Sequence, residues 1–94
     1  MKNTYVYFIR EAMGALAPVK IGVARNVPAR MATLQSGNMR VLEIVATIGP
    51  ISEKHAYRVE RDLHRKFKKH HLRGEWFTGV VLKRLSEISE PINE

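Results

Sequence analysis

Ninety-four residues, 45% of them apolar, are enough for one small domain that buries roughly two thirds of its unfolded surface, and residues 1–94 leave no room for a second. The chain has no cysteine, which excludes disulfides and thiolate zinc sites and points to a reducing, cytoplasmic setting; its first apolar run ends at Arg10, too short for a signal core or a membrane span. The formal charge is +7, and because Glu87, Glu90 and Glu94 close the chain, residues 1–86 hold 16 basic against 6 acidic side chains. Such an imbalance favours a polyanionic partner, nucleic-acid phosphate being the commonest, beside the plainer reading of a solubilising surface.

Tyr5 to Arg10 is rich in aromatic and β-branched residues and reads as a strand, with Val6 and Phe8 on one face and Tyr5, Tyr7 and Ile9 on the other. Pro18 precedes a second strand, Val19 to Ala24, in which Lys20 and Gly22 share the face opposite Val19, Ile21 and Val23. A hairpin whose paired residue numbers sum to 27 sets Tyr7 opposite Lys20 and Tyr5 opposite Gly22, so that polar groups converge on one face.

Asn26 followed by Pro28 signals a helix start, and Gly37 its end; Val27, Met31 and Leu34 form its apolar stripe, with Arg30 at the edge. Val41 to Ile48 is almost continuously apolar, which suits a strand covered on both sides and closed by Gly49-Pro50. Ser52 caps the longest helix, about residues 53 to 69. Gly74 to Phe77 turns the chain, Thr78 caps a last helix over residues 78–90, and residues 91–94 form a frayed acidic end. The expected fold is α/β (α+β), a small three-stranded, mainly antiparallel sheet flanked by helices in the order β-β-α-β-α-α.

In the long helix Ala56, Val59, Leu63 and Phe67 occupy a sector roughly 80° wide at about 100° per residue. Arg58, Arg61, Arg65, Lys68 and Lys69 lie on the far side, and the basic run continues through His70 and His71 to Arg73. With Arg25, the residues Arg61, Arg65, Lys68, Lys69 and Arg73 are candidates for phosphate contact, although a solvated helix face looks the same. Glu60 falls on the stripe's border, where a carboxylate partly withdrawn from water needs a cation, donors or a metal. Its i±4 neighbours Ala56 and His64 supply no fixed positive charge. Glu60 with His64 has transition-metal spacing, but a third ligand is missing. Trp76 and Phe77 read as core anchors.

Together, Tyr5-Val6-Tyr7-Phe8-Ile9, Val19-Lys20-Ile21-Gly22, the arginine eight residues after that glycine and the glutamate within the following long helix resemble the GIY-YIG nuclease superfamily. Leu34-Gln35-Ser36-Gly37-Asn38, Glu60 with Leu63-His64, and Gly74-Glu75-Trp76-Phe77 resemble its short phage- and bacteria-associated branch. The resemblance covers about residues 5 to 77. It implies a metal-dependent DNA endonuclease in which Tyr7, Gly22, Arg30 and Glu60 match the family's tyrosine, glycine, helix arginine and metal-binding glutamate. Tyr5 stands where the first motif has glycine, Lys20 where the second has tyrosine, a position at which some family nucleases carry lysine. The family's late asparagine has no match, Asn93 lying too near the chain's end.

Hydrolysis of a phosphodiester needs an activated water and neutralisation of charge on the phosphoryl oxygens. One carboxylate, Glu60, suits a single hard ion, Mg²⁺ or Mn²⁺. Arg30 can brace the oxygens through its planar fork, Tyr7 can take the water's proton, and Lys20 across the hairpin would favour its phenolate. Tyr5, Gly22 and His64 are supporting candidates. The partner is DNA, with RNA also compatible, and a homodimer or larger complex stays open. The main rival is a nucleic-acid-binding module of the same fold without turnover.

Overall fold

The computed structural model describes residues 1–12 and 17–84. Their elements run β1 (Lys2–Glu11), β2 (Val19–Ala24), α1 (Val27–Ser36), β3 (Leu42–Ser52), α2 (Glu53–Lys66), a 3₁₀ turn (Lys68–His70), β4 (His71–Arg73), β5 (Trp76–Phe77) and α3 (Val80–Lys83). All sheet pairings are antiparallel, in the order β3-β1-β2-β5-β4. The α+β class is as expected. The sheet has five strands rather than three, because Gly74, with φ +52°, turns the chain tightly enough for three and two residues on its flanks to pair as β4 and β5. Strands that short carry no periodicity to read.

β1 is the strand covered on both sides. Val6 and Phe8 pack with Val19 and Ile21 against Ala56 and Leu63 of α2, together with Phe67, Phe77 and Val81. On the reverse face Tyr7 and Ile9 meet Val27 and Leu42, with Met31 and Leu34 of α1 packed alongside. Each fully buried large apolar side chain contributes about 1.5–3 kcal/mol, so these two layers supply most of the stability. The strand at Val41 to Ile48 was expected to take this central place. It lies instead at the sheet's edge and runs on through Gly49-Pro50 to Ser52, with Val41 and Ile44 exposed. Proline is tolerated there because an edge strand can spare an N–H.

The face assignments of the hairpin hold, but its register does not. Paired numbers sum to 29, setting Tyr7 opposite Gly22, Ile9 opposite Lys20 and Tyr5 opposite Ala24. A shift of two residues leaves each side chain on its own face, since the strand period is two. The tyrosine ring decides the register, because only a glycine opposite Tyr7 leaves room for it.

Asn26 caps α1 as expected, its Oδ1 accepting from the Ala29 N–H at 3.0 Å, and Gly37 ends the helix. Ser52 caps α2, accepting from the His55 N–H at 3.2 Å. This helix stops at Lys66 rather than 69, because Phe67, 1% exposed, turns into the core and tightens the chain into the 3₁₀ turn that starts β4. Thr78 does not cap α3: its hydroxyl is buried without a hydrogen-bond partner, and Gly79 holds the cap position. The remainder of the helix expected over 78–90, and the frayed end at 91–94, lie outside the described residues. Among the described residues no helix is long and apolar enough to cross a membrane.

Candidate active site

Tyr7, in the middle of the central strand, is 1% exposed. Its ring lies over Gly22: a Cβ there would stand 2.4 Å from the phenolic oxygen and 2.5 Å from Cζ. The glycine is thus what admits the tyrosine hydroxyl to this place. Arg30 meets that hydroxyl from α1. The Asn26 cap and Pro28 fix where the helix starts, and the burial of Val27 brings the side of the next turn, with Arg30, to the sheet. Hydrogen bonding to Tyr7, then the charge of Tyr7, hold the Arg30 guanidinium above its ordinary value against burial, with a smaller pull from Glu75. Arg30 is otherwise exposed, so its remaining donors face solvent.

Lys20 is 9% exposed, and its Nζ lies 3.0 Å from Glu75 Oε1 and 5.6 Å from the ring centre of Trp76. Lys20 was expected opposite Tyr7 as the cation favouring its phenolate. In the observed register it stands opposite Ile9 and is ion-paired to Glu75, and the cation on the Tyr7 hydroxyl is Arg30.

Glu60 reaches the same place from α2. Burial, then a hydrogen bond with Glu75 and the charge of Glu75, push its carboxyl up to about 7, with Lys20 opposing. Burial acts on Glu75 in the same sense, but hydrogen bonds with Lys20 and Glu60, and the charges of Lys20 and His64, outweigh it and hold Glu75 below the usual carboxylate range. Below about pH 7 the two acids hold one proton between them, on Glu60, while Glu75, paired to Lys20, keeps the charge. The border carboxylate therefore has a second carboxylate as its neighbour.

His64 lies one turn further along α2. Its Nε2 is 3.1 Å from the Ile21 carbonyl, which can only accept, so Nε2 carries the hydrogen. The ring also stands edge-on to Phe77, 4.9 Å between centres. Beyond Trp76 β5 no longer flanks β2, and the Ile21 N–H is taken by the Glu75 carbonyl at 3.0 Å. His64 and Glu75 thus finish the edge of β2 while holding the carboxylates beside it.

This donor set suits a hard divalent ion. Two carboxylates sharing a proton are an arrangement that a cation relieves, and Mg²⁺ needs only one or two because it retains water. Zinc takes three or four such ligands, and among the described residues no three His, Cys, Asp or Glu side chains are grouped for a metal.

Tyr5 does not join this network; it lines a groove of 420 Å³ with Arg25, Asn26, Val27, Pro28, Ile44 and Thr47. Arg61, Arg65, Lys68, Lys69 and Arg73 are exposed, with Lys68 and Lys69 on the 3₁₀ turn rather than on α2. Arg25 is exposed too, but paired to Glu53 at 2.6 Å. Sequence reasoning missed Glu75, read only as part of a turn, and the Lys20 contact of Trp76. The available signal was the demand of a half-buried Glu60 for a partner that its own helix lacks.

Compared with known protein families, residues 4–93 match the one described as the T5orf172 domain. No curated protein and no solved structure matches the chain.

Proposed function

Because the chain belongs to the T5orf172 domain family, a nuclease-associated one, we propose that it is a metal-dependent DNA endonuclease hydrolysing phosphodiester bonds in the GIY-YIG manner. The observation that carries this reading is the convergence of Tyr7 with Arg30, and of Lys20 with Glu75 and Glu60, close enough that Arg30 feels the charge of Glu75. Five elements or turns each contribute one of these side chains.

In this reading Tyr7, as its phenolate, accepts the proton of the attacking water as that oxygen bonds to phosphorus and the P–O bond to the departing oxygen breaks, the departing oxygen taking a proton from solvent. Arg30, donating to the Tyr7 oxygen, fixes its direction and turns its other N–H groups to the non-bridging phosphoryl oxygens. Glu60, with Glu75 beside it, would hold one Mg²⁺ or Mn²⁺, which supplies positive charge against the phosphate. Lys20 keeps Glu75 ionised and balances the negative charge of the pair. Gly22 keeps the tyrosine seated.

A module that binds nucleic acid without turnover is favoured by one feature, the Lys20–Glu75 pair at 3.0 Å, which already neutralises one carboxylate. Purified protein incubated with supercoiled plasmid and Mg²⁺, Mn²⁺ or EDTA separates the two. The nuclease nicks the plasmid only with metal, and Glu60→Ala abolishes nicking while keeping the wild-type circular dichroism spectrum. Full activity of Glu60→Ala, or none in the wild type with either metal, sinks the assignment.

A further inference from the structure

Tyr57 is 53% exposed, and on α2 it stands three residues before Glu60, the spacing at which helix side chains are neighbours. Lys54, Tyr57, Arg58 and Arg61 together line a shallow pocket of 330 Å³. Their i, i+3, i+4 and i+7 spacing places them on one stripe of the helix, so an aromatic ring stands among three cations. The acidic residues nearby are already engaged: Glu53 is ion-paired to Arg25, and Asp62 lies 4.0 Å from Arg61. Among the described residues the ring takes no part in the main core cluster, to which α2 gives Ala56 and Leu63.

We propose that this stripe binds an unpaired stretch of the nucleic-acid strand, one base stacking on the Tyr57 ring while Lys54, Arg58 and Arg61 take the flanking phosphates. A planar ring presented in a basic groove is the combination that holds single strands without reading their sequence. A base paired inside a duplex keeps its faces stacked on its neighbours and cannot lie on such a ring. The inference rests on the nuclease reading, because the strand held here is the one whose next phosphates reach Glu60 about one helical turn away. It assigns a preference: substrates with an unpaired segment beside the cleavage point, such as flaps, gaps or branches, are engaged in preference to blunt duplex.

Fluorescence anisotropy in EDTA, with a fluorescein-labelled oligothymidylate and a labelled blunt duplex of equal length, tests this without turnover. Loss of one stacked base weakens single-strand binding by roughly tenfold to a hundredfold, so Tyr57→Ala falls by that factor for the oligothymidylate and stays near wild type for the duplex. Tyr57→Phe retains binding and Tyr57→Leu does not. Arg58→Ala flattens the dependence of log K on log salt by about one contact. Equal binding of the single strand by wild type and Tyr57→Ala overturns the proposal, and so does Tyr57→Leu binding as well as Tyr57→Phe, or an equal loss for duplex and single strand. Plasmid nicking by Glu60→Ala is scored separately: if that variant cuts, the nuclease reading falls while the anisotropy result stands.

Discussion

Gly22→Ala adds one methyl group at the most crowded point of the site. The new carbon would lie 2.4 Å from the Tyr7 oxygen, 2.5 Å from Cζ and 3.1 Å from Cε1, whereas ordinary contact begins at 3.4 Å. The oxygen must therefore retreat by about 1 Å. It has nowhere to go without disturbance, because Tyr7 is 1% exposed and packed among Ile9, Val27 and Leu42. Overpacking of this kind costs about 1–3 kcal/mol, and in a chain of this size about 2 kcal/mol lowers Tm by roughly 8–16 °C. A displacement of about 1 Å at a reacting group costs on the order of a hundredfold in rate. Thermal melts followed by circular dichroism read the first effect, and single-turnover nicking at a temperature where the variant is folded reads the second. The double variant Gly22→Ala/Tyr7→Phe regains part of the stability, since the oxygen clash is gone and the Cζ clash remains, and regains no activity. A Tm within a degree of wild type together with undiminished nicking would refute the placement of the hydroxyl over Gly22.

Glu60 is raised to about 7 from 4.5, so the native state binds the extra proton in that window. Its stabilising contribution is complete below pH 4.5 and is lost as pH rises through about 7; Glu60→Gln flattens this part of the Tm-versus-pH curve, and an unchanged slope counts against the shared proton. Glu75→Gln leaves the buried Lys20 ammonium without a carboxylate partner, for about 1–3 kcal/mol of destabilisation in urea titrations. It also removes the like charge beside Glu60, so a direct titration of Glu60 by NMR moves toward its ordinary range. Arg30→Lys replaces a planar fork by a point charge, lowering kcat by tenfold or more while leaving the unfolding free energy within about 0.5 kcal/mol of wild type, as expected for an exposed position. Unchanged kcat argues against bidentate phosphate contact.

The parts of this fold that sequence made legible are those governed by local rules. Asn26, Pro28, Gly37 and Ser52 marked helix ends through capping chemistry that acts within a few residues. The alternation in β1 and β2 assigned every side chain its face. Register needed more, because it was settled by the space above Gly22, a contact between strands. The coverage of β3 was misread for a related reason: a run of apolar residues records propensity, and Val41 and Ile44 show that edge strands use the same types. Of the candidate site, Tyr7, Lys20, Arg30 and Glu60 are legible in the sequence as candidates, but their connections are not. Glu75 completes the pairing across a chain distance no periodic pattern spans, and it redirected Lys20 away from Tyr7.

The five side chains of the candidate site come from β1, β2, α1, α2 and the turn between β4 and β5, so no fragment of the chain contains a working subset. Tyr7 and Glu75 lie 68 residues apart in the sequence, and the site needs β1 paired on both edges and β5 paired with β2. The candidate site therefore exists only in the assembled fold: a molecule in which one of these elements has come loose loses part of the constellation. In the nuclease reading, loss of nicking would report loss of global integrity as sharply as a spectroscopic transition does. In that reading the requirement extends to the whole sheet, down to the three- and two-residue strands that flank Glu75.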